Sequence, residues 1–290
     1  MSAPAHVVAL TEALPYVQRW AGRTVVIKYG GSAMVAPELS QAVMEDLVLL
    51  AQVGVRAVLV HGGGNAVSDM GRRLGLEARF VDGLRVTDEE TMRVAQQVQI
   101  GGISRDIVAG IGRRGGVALG LSGHDLGGWL RASPRKHTSR ETGEPVDLGR
   151  VGDVRHVDVA PLRRLLEQGV IPVVAPVAVD DHFDSLNVNA DHVAHAVAAA
   201  LQAERLVFLT DVPGVKGPDG AVAAEASEAT LRAWIADGTV SGGMIPKVEA
   251  ALDALAAGVK AATIADGRVA HAVLIELFTE AGSGTLVQAG

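Results

Sequence analysis

Along the chain, short and nearly unbroken apolar runs alternate with longer stretches of helical period. The runs are TVVIKYGG (24–31), RAVLVHGGG (56–64), GVALGLSG (116–123), VIPVVAPV (170–177), RLVFLTDV (205–212) and KAATIADG (260–267). Strands that are apolar at consecutive positions are buried on both faces, the habit of parallel sheets. Between them APELSQAVMEDLVLLAQVG, DEETMRVAQQVQIGGISRDIVAGIG, APLRRLLEQG and MIPKVEAALDALAAG carry the period of crossover helices. The pattern predicts an α/β fold with a mainly parallel sheet. One stretch breaks it: residues 128–157 read as two strand-like pieces joined by a charged turn, a hairpin expected to form a flap beside the site. No internal repeat and no clean domain boundary appear, although the polar cluster at 178–185 offers a functional division.

Composition narrows the function. A chain of 290 residues can bury a large core. It has no cysteine, which removes disulfides, thiolate metal sites and a thiol nucleophile, and fits a reducing cytosol. The N-terminal stretch has neither a basic region nor a long apolar core, and no window is apolar enough for a membrane span, so a cytoplasmic protein without membrane contact is expected. A net charge of -7, with four Phe, three Trp and two Tyr, leaves no basic stripe or stacking platform for nucleic acid.

Several motifs carry chemistry, each with an ordinary structural alternative. Lys28, followed at once by Gly30 and Gly31, puts an ammonium beside bare backbone N–H groups at the carboxyl end of a strand, where α/β sheets bind phosphate. A snorkelling lysine before a turn is the alternative. HGGG (61–64) opens a helix and points several N–H groups at one place, an anion cradle or else a flexible turn. No G-x-S-x-G elbow accompanies it, so a hydrolase would have no nucleophile. GIGRRG (110–115) satisfies a dinucleotide fingerprint but follows a helix and precedes a strand, so it reads as a helix stop. Arg85, in DGLRVTD, has the fork that grips a carboxylate, with a surface ion pair as the alternative. Lys247 stands in the first turns of a helix, against the macrodipole, as though an anion were to be held there. His192 and His195 are three apart, a spacing open to a metal, yet no third ligand follows and no metal site is expected.

The ordered set KYGGSAM, VHGGG, FVDGLRVTD, NVNAD, LTDVPGV, SGGMIPKVEAAL and IADGR resembles the amino acid kinase family over nearly the whole chain. The resemblance implies a three-layer αβα sandwich around a largely parallel sheet, one domain over 1–290. Within it would lie an N-terminal helix (1–20), an acyl-substrate lobe (21–180) and a nucleotide lobe (181–290). It implies the branch that phosphorylates the side-chain carboxylate of N-acetyl-L-glutamate with ATP and Mg2+, the metal held mainly by the phosphates, as the second step of arginine biosynthesis. Lys28 and Lys247 then match the lysines that bracket the phosphoryl group, and Asp191 the acid that organises them. Gly62 and Gly63 match the donors near the substrate, Arg85 the partner of its α-carboxylate and Asn187 a further contact. Gly30 and Gly31 fall beside the phosphates, and Asp211, Val212, Pro213, Gly214, Val215 and Lys216 form the nucleotide loop. Asn65 stands where the family usually has proline, and His192 and His195 where smaller residues are common.

A carboxylate nucleophile is ionised at neutral pH and needs no general base, so the lack of an obvious one is expected. The segment HVVALTEALPYVQRW resembles the N-terminal helix of the arginine-inhibited branch, which implies a hexamer built as a trimer of dimers and an arginine site shared with EAGSGTLV near the C-terminus. The competing readings are a kinase for the one-methylene-longer N-acetyl-2-aminoadipate and a non-catalytic amino acid sensor. Retention of both lysines argues against the sensor, which has no transition state to stabilise.

Overall fold

The computed structural model describes residues 4–288; the first three residues of the expected N-terminal helix and the last two of the chain lie outside them. The chain begins with α1 (Ala5–Trp20), β1 (Thr24–Tyr29), a single turn α2 (Ser32–Val35), α3 (Pro37–Gln52), β2 (Arg56–His61) and α4 (Gly64–Arg73). A small hairpin, β3 (Phe80–Val81) and β4 (Leu84–Arg85), leads into α5 (Glu89–Gln96), which passes through a π-helical stretch, Gln97–Ile103, into α6 (Ser104–Gly112) and β5 (Ala118–Leu121). Next come β6 (Leu130–Pro134), β7 (His137–Thr138), β8 (Pro145–Val146), β9 (Gly152–Val157), α7 (Ala160–Glu167), β10 (Ile171–Val174), β11 (Val177–Val179) and β12 (Ser185–Asn187). The last part holds α8 (Ala190–Leu201), β13 (Arg205–Thr210), β14 (Glu225–Ser227), α9 (Glu228–Ala236), α10 (Ile245–Ala256), β15 (Ala261–Asp266), α11 (Ala272–Phe278) and β16 (Gly284–Gln288).

The main sheet has eight strands in the order β14-β16-β15-β13-β1-β2-β10-β5, parallel except where β16 runs against β15. All six apolar runs enter it. β1 lies at the middle, and side-chain alternation splits it: Val26 enters the core under α8 and α10, while Val25, Ile27 and Tyr29 enter the core under α3, α6 and α11. With helices on both faces, the αβα sandwich is the observed architecture. No helix among the described residues is long and apolar enough to cross a membrane.

Two expectations need revision. The run VIPVVAPV is not one strand: it breaks around Ala175–Pro176, and Val177–Val179 joins a second sheet of order β12-β11-β6-β9. Proline has no N–H for a ladder, so the run changes sheets there. The expected hairpin at 128–157 is present as antiparallel β6 and β9, but inside this four-stranded sheet and not as a separate flap. The helix stop at GIGRRG is as read, with α6 ending at Gly112 and Gly115 at a φ of +79°.

Candidate active site

Because Lys28 shares the face of Val26, its side chain runs toward the first turn of α8. Its Nζ lies 3.1 Å from Asp191 Oδ1, with the two side chains 17% and 34% exposed. Asp191 sits where a helix start favours an acid, and Asn189 caps that start by accepting the Asp191 N–H at 2.7 Å. Asn187, Asn189 and Asp191, at every second position, therefore make three separate contacts. The chain passes from strand to helix after Asn187, and the period changes with it. Asn187 turns instead to Thr87, donating from Nδ2 to Oγ1 at 3.2 Å.

Beyond β1 the backbone comes close to two charged groups. A Cβ on Gly30 would lie 2.9 Å from Lys28 Nζ. One on Gly31, whose φ is +66°, would lie 2.7 Å from Asp211 Oδ2. Glycine suits the left-handed turn at Gly31, and at both positions an added Cβ would push the charged side-chain end away.

Two open cavities meet at this contact. One, of about 410 Å³, covers the ends of β1 and β2 and is lined by Lys28, Gly30, Gly31, Met34, Gly62, Gly63, Gly64, Asn65, Ala66 and Ile103. The other, of about 350 Å³, follows β13 and is lined by Asp211, Val212, Pro213, Gly214 and Lys216, with Thr239, Val240, Ser241, Met244 and Arg268. Gly31 belongs to the first and Asp211 to the second. Val215 presents no side chain to either: it is buried, and its N–H donates to Thr285 Oγ1 at 2.8 Å, anchoring the loop.

The glycine cradle is more selective than its sequence suggested. Gly62 N–H donates to the Tyr29 carbonyl at 2.7 Å and so extends the ladder between β1 and β2. The N–H groups that open α4, from Gly63 onward, are the ones a helix leaves for a ligand. Arg85 stands beside this helix start, donating to the Gly64 carbonyl at 2.9 Å and to Ser68 Oγ at 2.5 Å, with its guanidinium 4.8 Å from the centre of the Phe80 ring. Burial lowers its pKa from the ordinary arginine value, but a guanidinium keeps its charge. Lys247 lies in the first turn of α10 and donates to the Gly243 carbonyl at 3.2 Å, while Ser241 and Met244, just before it, line the second cavity.

The two histidines of α8 behave differently. His192 is exposed, and His195 is half-buried with an Nε2 that meets no partner among the described residues. Burial lowers its pKa. No cluster of metal-ligating side chains occurs among the described residues. Sequence reasoning gave no role to Thr87, His61 or the Thr239–Ser241 wall. Arg268 was within reach, since IADGR stood among the motifs.

A cation between two anion-receptive cavities is an arrangement for passing an anionic group from one ligand to another. Residues 23–266 match the amino acid kinase family. An acetylglutamate kinase of Symbiobacterium thermophilum is 50% identical over 281 residues, covering 96% of this chain and 96% of its own. An acetylglutamate kinase of Novosphingobium aromaticivorans is 48% identical over 289 residues, 97% of this chain and 95% of its own. Among solved structures, N-acetylglutamate synthase from Neisseria gonorrhoeae, complexed with coenzyme A and N-acetyl-glutamate, has a TM-score of 0.85 at 28% identity and covers 99% of this chain. This chain spans 64% of that synthase. Carbamate kinase from Giardia lamblia bound to AMP-PNP has a TM-score of 0.65 at 17% identity, covering 93% of this chain and 99% of that one, a likeness of fold.

Proposed function

This chain belongs to the amino acid kinase family, and from that premise we propose how its two cavities divide the work of an ATP-dependent kinase acting on N-acetyl-L-glutamate. The reaction transfers the γ-phosphoryl group of ATP to the side-chain carboxylate, leaving ADP and the acyl phosphate, a step of arginine biosynthesis. The observation that carries the division is Lys28, held by Asp191 at 3.1 Å where the glycine cradle and the nucleotide loop meet.

In this reading the acyl substrate lies over β1 and β2, its reacting carboxylate on the Gly63 amide, and Arg85 and Asn187 hold its α-carboxylate end. MgATP lies over the Asp211–Lys216 loop, its phosphates reaching the Gly30–Gly31 turn. Mg2+ arriving with the nucleotide would be held mainly by the phosphates and would neutralise part of their charge. A carboxylate oxygen attacks the γ-phosphorus, the bond to the bridging oxygen breaks, and ADP leaves with the electron pair. No proton moves. The residues' task is to hold two anions together and stabilise the charge spread over the transferring group, which Lys28, Lys247 and the cradle amides supply.

The test is hydroxylamine trapping of the acyl phosphate with N-acetylglutamate and N-acetyl-2-aminoadipate side by side. The expected result is trapping with N-acetylglutamate, and a kcat/KM about 10-fold or more lower for the longer substrate, the scale of one methylene. Equal values, or a preference for the aminoadipate compound, would reassign the substrate.

We further propose arginine feedback and a cytoplasmic hexamer. α1 leaves Val7, Val8, Leu10 and Leu14 exposed, at 40%, 40%, 71% and 51%, an apolar face that suits a subunit contact. The same helix is tied to the C-terminal region: Trp20 Nε1 donates to the Leu277 carbonyl at 2.6 Å and the Tyr16 and Phe278 rings meet edge-on at 6.4 Å. An effector bound by both would connect assembly to activity. Removing residues 1–14 spares Tyr16 and buried Trp20; the expected protein is a smaller oligomer, active and insensitive to arginine. A truncated protein that stays hexameric and arginine-sensitive by sedimentation and assay would end this proposal.

A further inference from the structure

His61, the last residue of β2, is fully buried and paired in register with Tyr29. Alternation puts its side chain on the face of Leu59, opposite to Lys28. Its Nδ1 lies 2.8 Å from the carbonyl oxygen of Gly62. A carbonyl can only accept, so Nδ1 carries the proton and Nε2 is left as a bare acceptor. Burial lowers the imidazole pKa to about 4, which keeps the ring neutral throughout the neutral range. Nε2 meets no partner among the described residues. For stability alone histidine is a poor occupant, since an aliphatic side chain would fill the place without a stranded lone pair. What the imidazole supplies, and an aliphatic group cannot, is the bond to Gly62.

That bond fixes a peptide plane. Gly62 N–H is taken by the Tyr29 carbonyl, and Gly62 C=O by His61. The Gly62–Gly63 peptide is trans, so its C=O and N–H point in opposite directions. With the oxygen drawn to the buried side, the Gly63 N–H is turned toward the cavity that Gly62, Gly63 and Gly64 share with Lys28. A Gly–Gly linkage has no side chains to resist rotation, so its orientation needs an outside hold. We propose that His61 is a positioning residue, whose Nδ1–H clamps the Gly62 carbonyl and thereby aims the Gly63 N–H at the reacting carboxylate of the acyl substrate. The proposal rests on the reading of the glycine cradle as the acyl-substrate site. His61 itself is shut off from the cavity and acts only through the amide.

Asparagine and glutamine separate this role from packing. The Nδ2 of asparagine falls near the place of the histidine Nδ1, and the Nε2 of glutamine near the histidine Nε2. The enzyme and its His61→Asn, His61→Gln and His61→Leu variants are compared by acyl-phosphate trapping, with kcat, both KM values and the thermal midpoint measured. His61→Asn is expected to keep kcat within about threefold of the parent. His61→Gln and His61→Leu are expected to lose about 10²-fold in kcat, the scale of one misaimed donor, with KM for ATP unchanged and no loss of thermal midpoint relative to His61→Asn. A glutamine variant as active as the asparagine one, or a leucine variant with the parent's kcat, overturns the clamp. If leucine prevents folding, the asparagine and glutamine pair decides. A parent protein that forms no acyl phosphate overturns the substrate reading instead, and the clamp falls with it.

Discussion

Lys28→Met is expected to reduce kcat by about 10²- to 10³-fold, the range for loss of a preorganised donor to developing charge. Methionine approximates the four-atom stem of lysine and removes the ammonium, which stands 3.1 Å from Asp191 Oδ1. The stem is already largely enclosed, with the side chain 17% exposed, so the fold has little reason to respond. Loss of the cation also leaves the Asp191 carboxylate facing the incoming phosphates, like charge against like charge. Lys28→Arg should not restore the rate, because a planar guanidinium is not a point charge and the Gly30 backbone approaches so closely that a Cβ there would stand 2.9 Å from Nζ. Steady-state kinetics with both substrates varied reads the effect as a fall in kcat with modest change in KM. A Met variant that kept a third or more of the parent's kcat would remove Lys28 from the chemistry.

The second large effect is expected of Gly31→Ala, and it should appear mainly in ATP. The residue has a φ of +66°, and an added methyl group would press on both carboxylate oxygens of Asp211. Asp211 opens the loop proposed above to hold ATP, so the displacement is passed to the cavity wall that it shares with Val212, Pro213 and Gly214. KM for ATP is expected to rise about 10-fold or more, the loss of roughly one well-made contact, with KM for N-acetylglutamate nearly constant. Gly22→Ala separates the backbone from the contact. Gly22 has a φ of +77° with no neighbour near the added carbon, so it pays the same left-handed penalty, roughly 1–2 kcal/mol, at the far end of β1. It should lower the thermal midpoint by a few degrees and leave both KM values alone. Equal kinetic effects from the two glycines would mean that general destabilisation, not the Asp211 contact, governs nucleotide affinity.

The six strands from β15 to the edge strand β5 were legible because strands covered on both faces are apolar at consecutive positions, and β5 carries the same apolar run. The edge strand β14 and its neighbour β16 were not. They are short and half-covered, and EAS and GTLVQ carry no signal that separates them from loop. The break of VIPVVAPV at Ala175–Pro176 was written in the proline but hidden by the length of the apolar run around it. The π-helical stretch Gln97–Ile103 left no trace in periodicity, because one widened turn shifts the pattern by less than the scatter of side-chain choice.

At the site, the sequence offered candidate residues and not their contacts. Asp191 was read as the acid for two lysines; it pairs with Lys28, while Lys247 donates to the Gly243 carbonyl. Val215 could not be told from its loop neighbours, since whether a residue faces cavity or core depends on a strand, β16, that arrives from the other end of the chain. His61 looked like the first letter of a glycine motif. Its role emerges only when its ring nitrogen is seen on the next residue's carbonyl.

The strand order gives the site its ruler. β2 delivers the glycine cradle, β13 the nucleotide loop, and β1 between them holds Lys28. Neighbouring strands stand about 4.8 Å apart, so the ends of β2 and β13 are separated by two rungs, about 10 Å, with the lysine at the midpoint. This spacing is set by the ladder hydrogen bonds that pair β1 with β13 and β2. Movement of the surrounding loops can therefore admit ligands while the strand ends on either side of Lys28 keep their spacing.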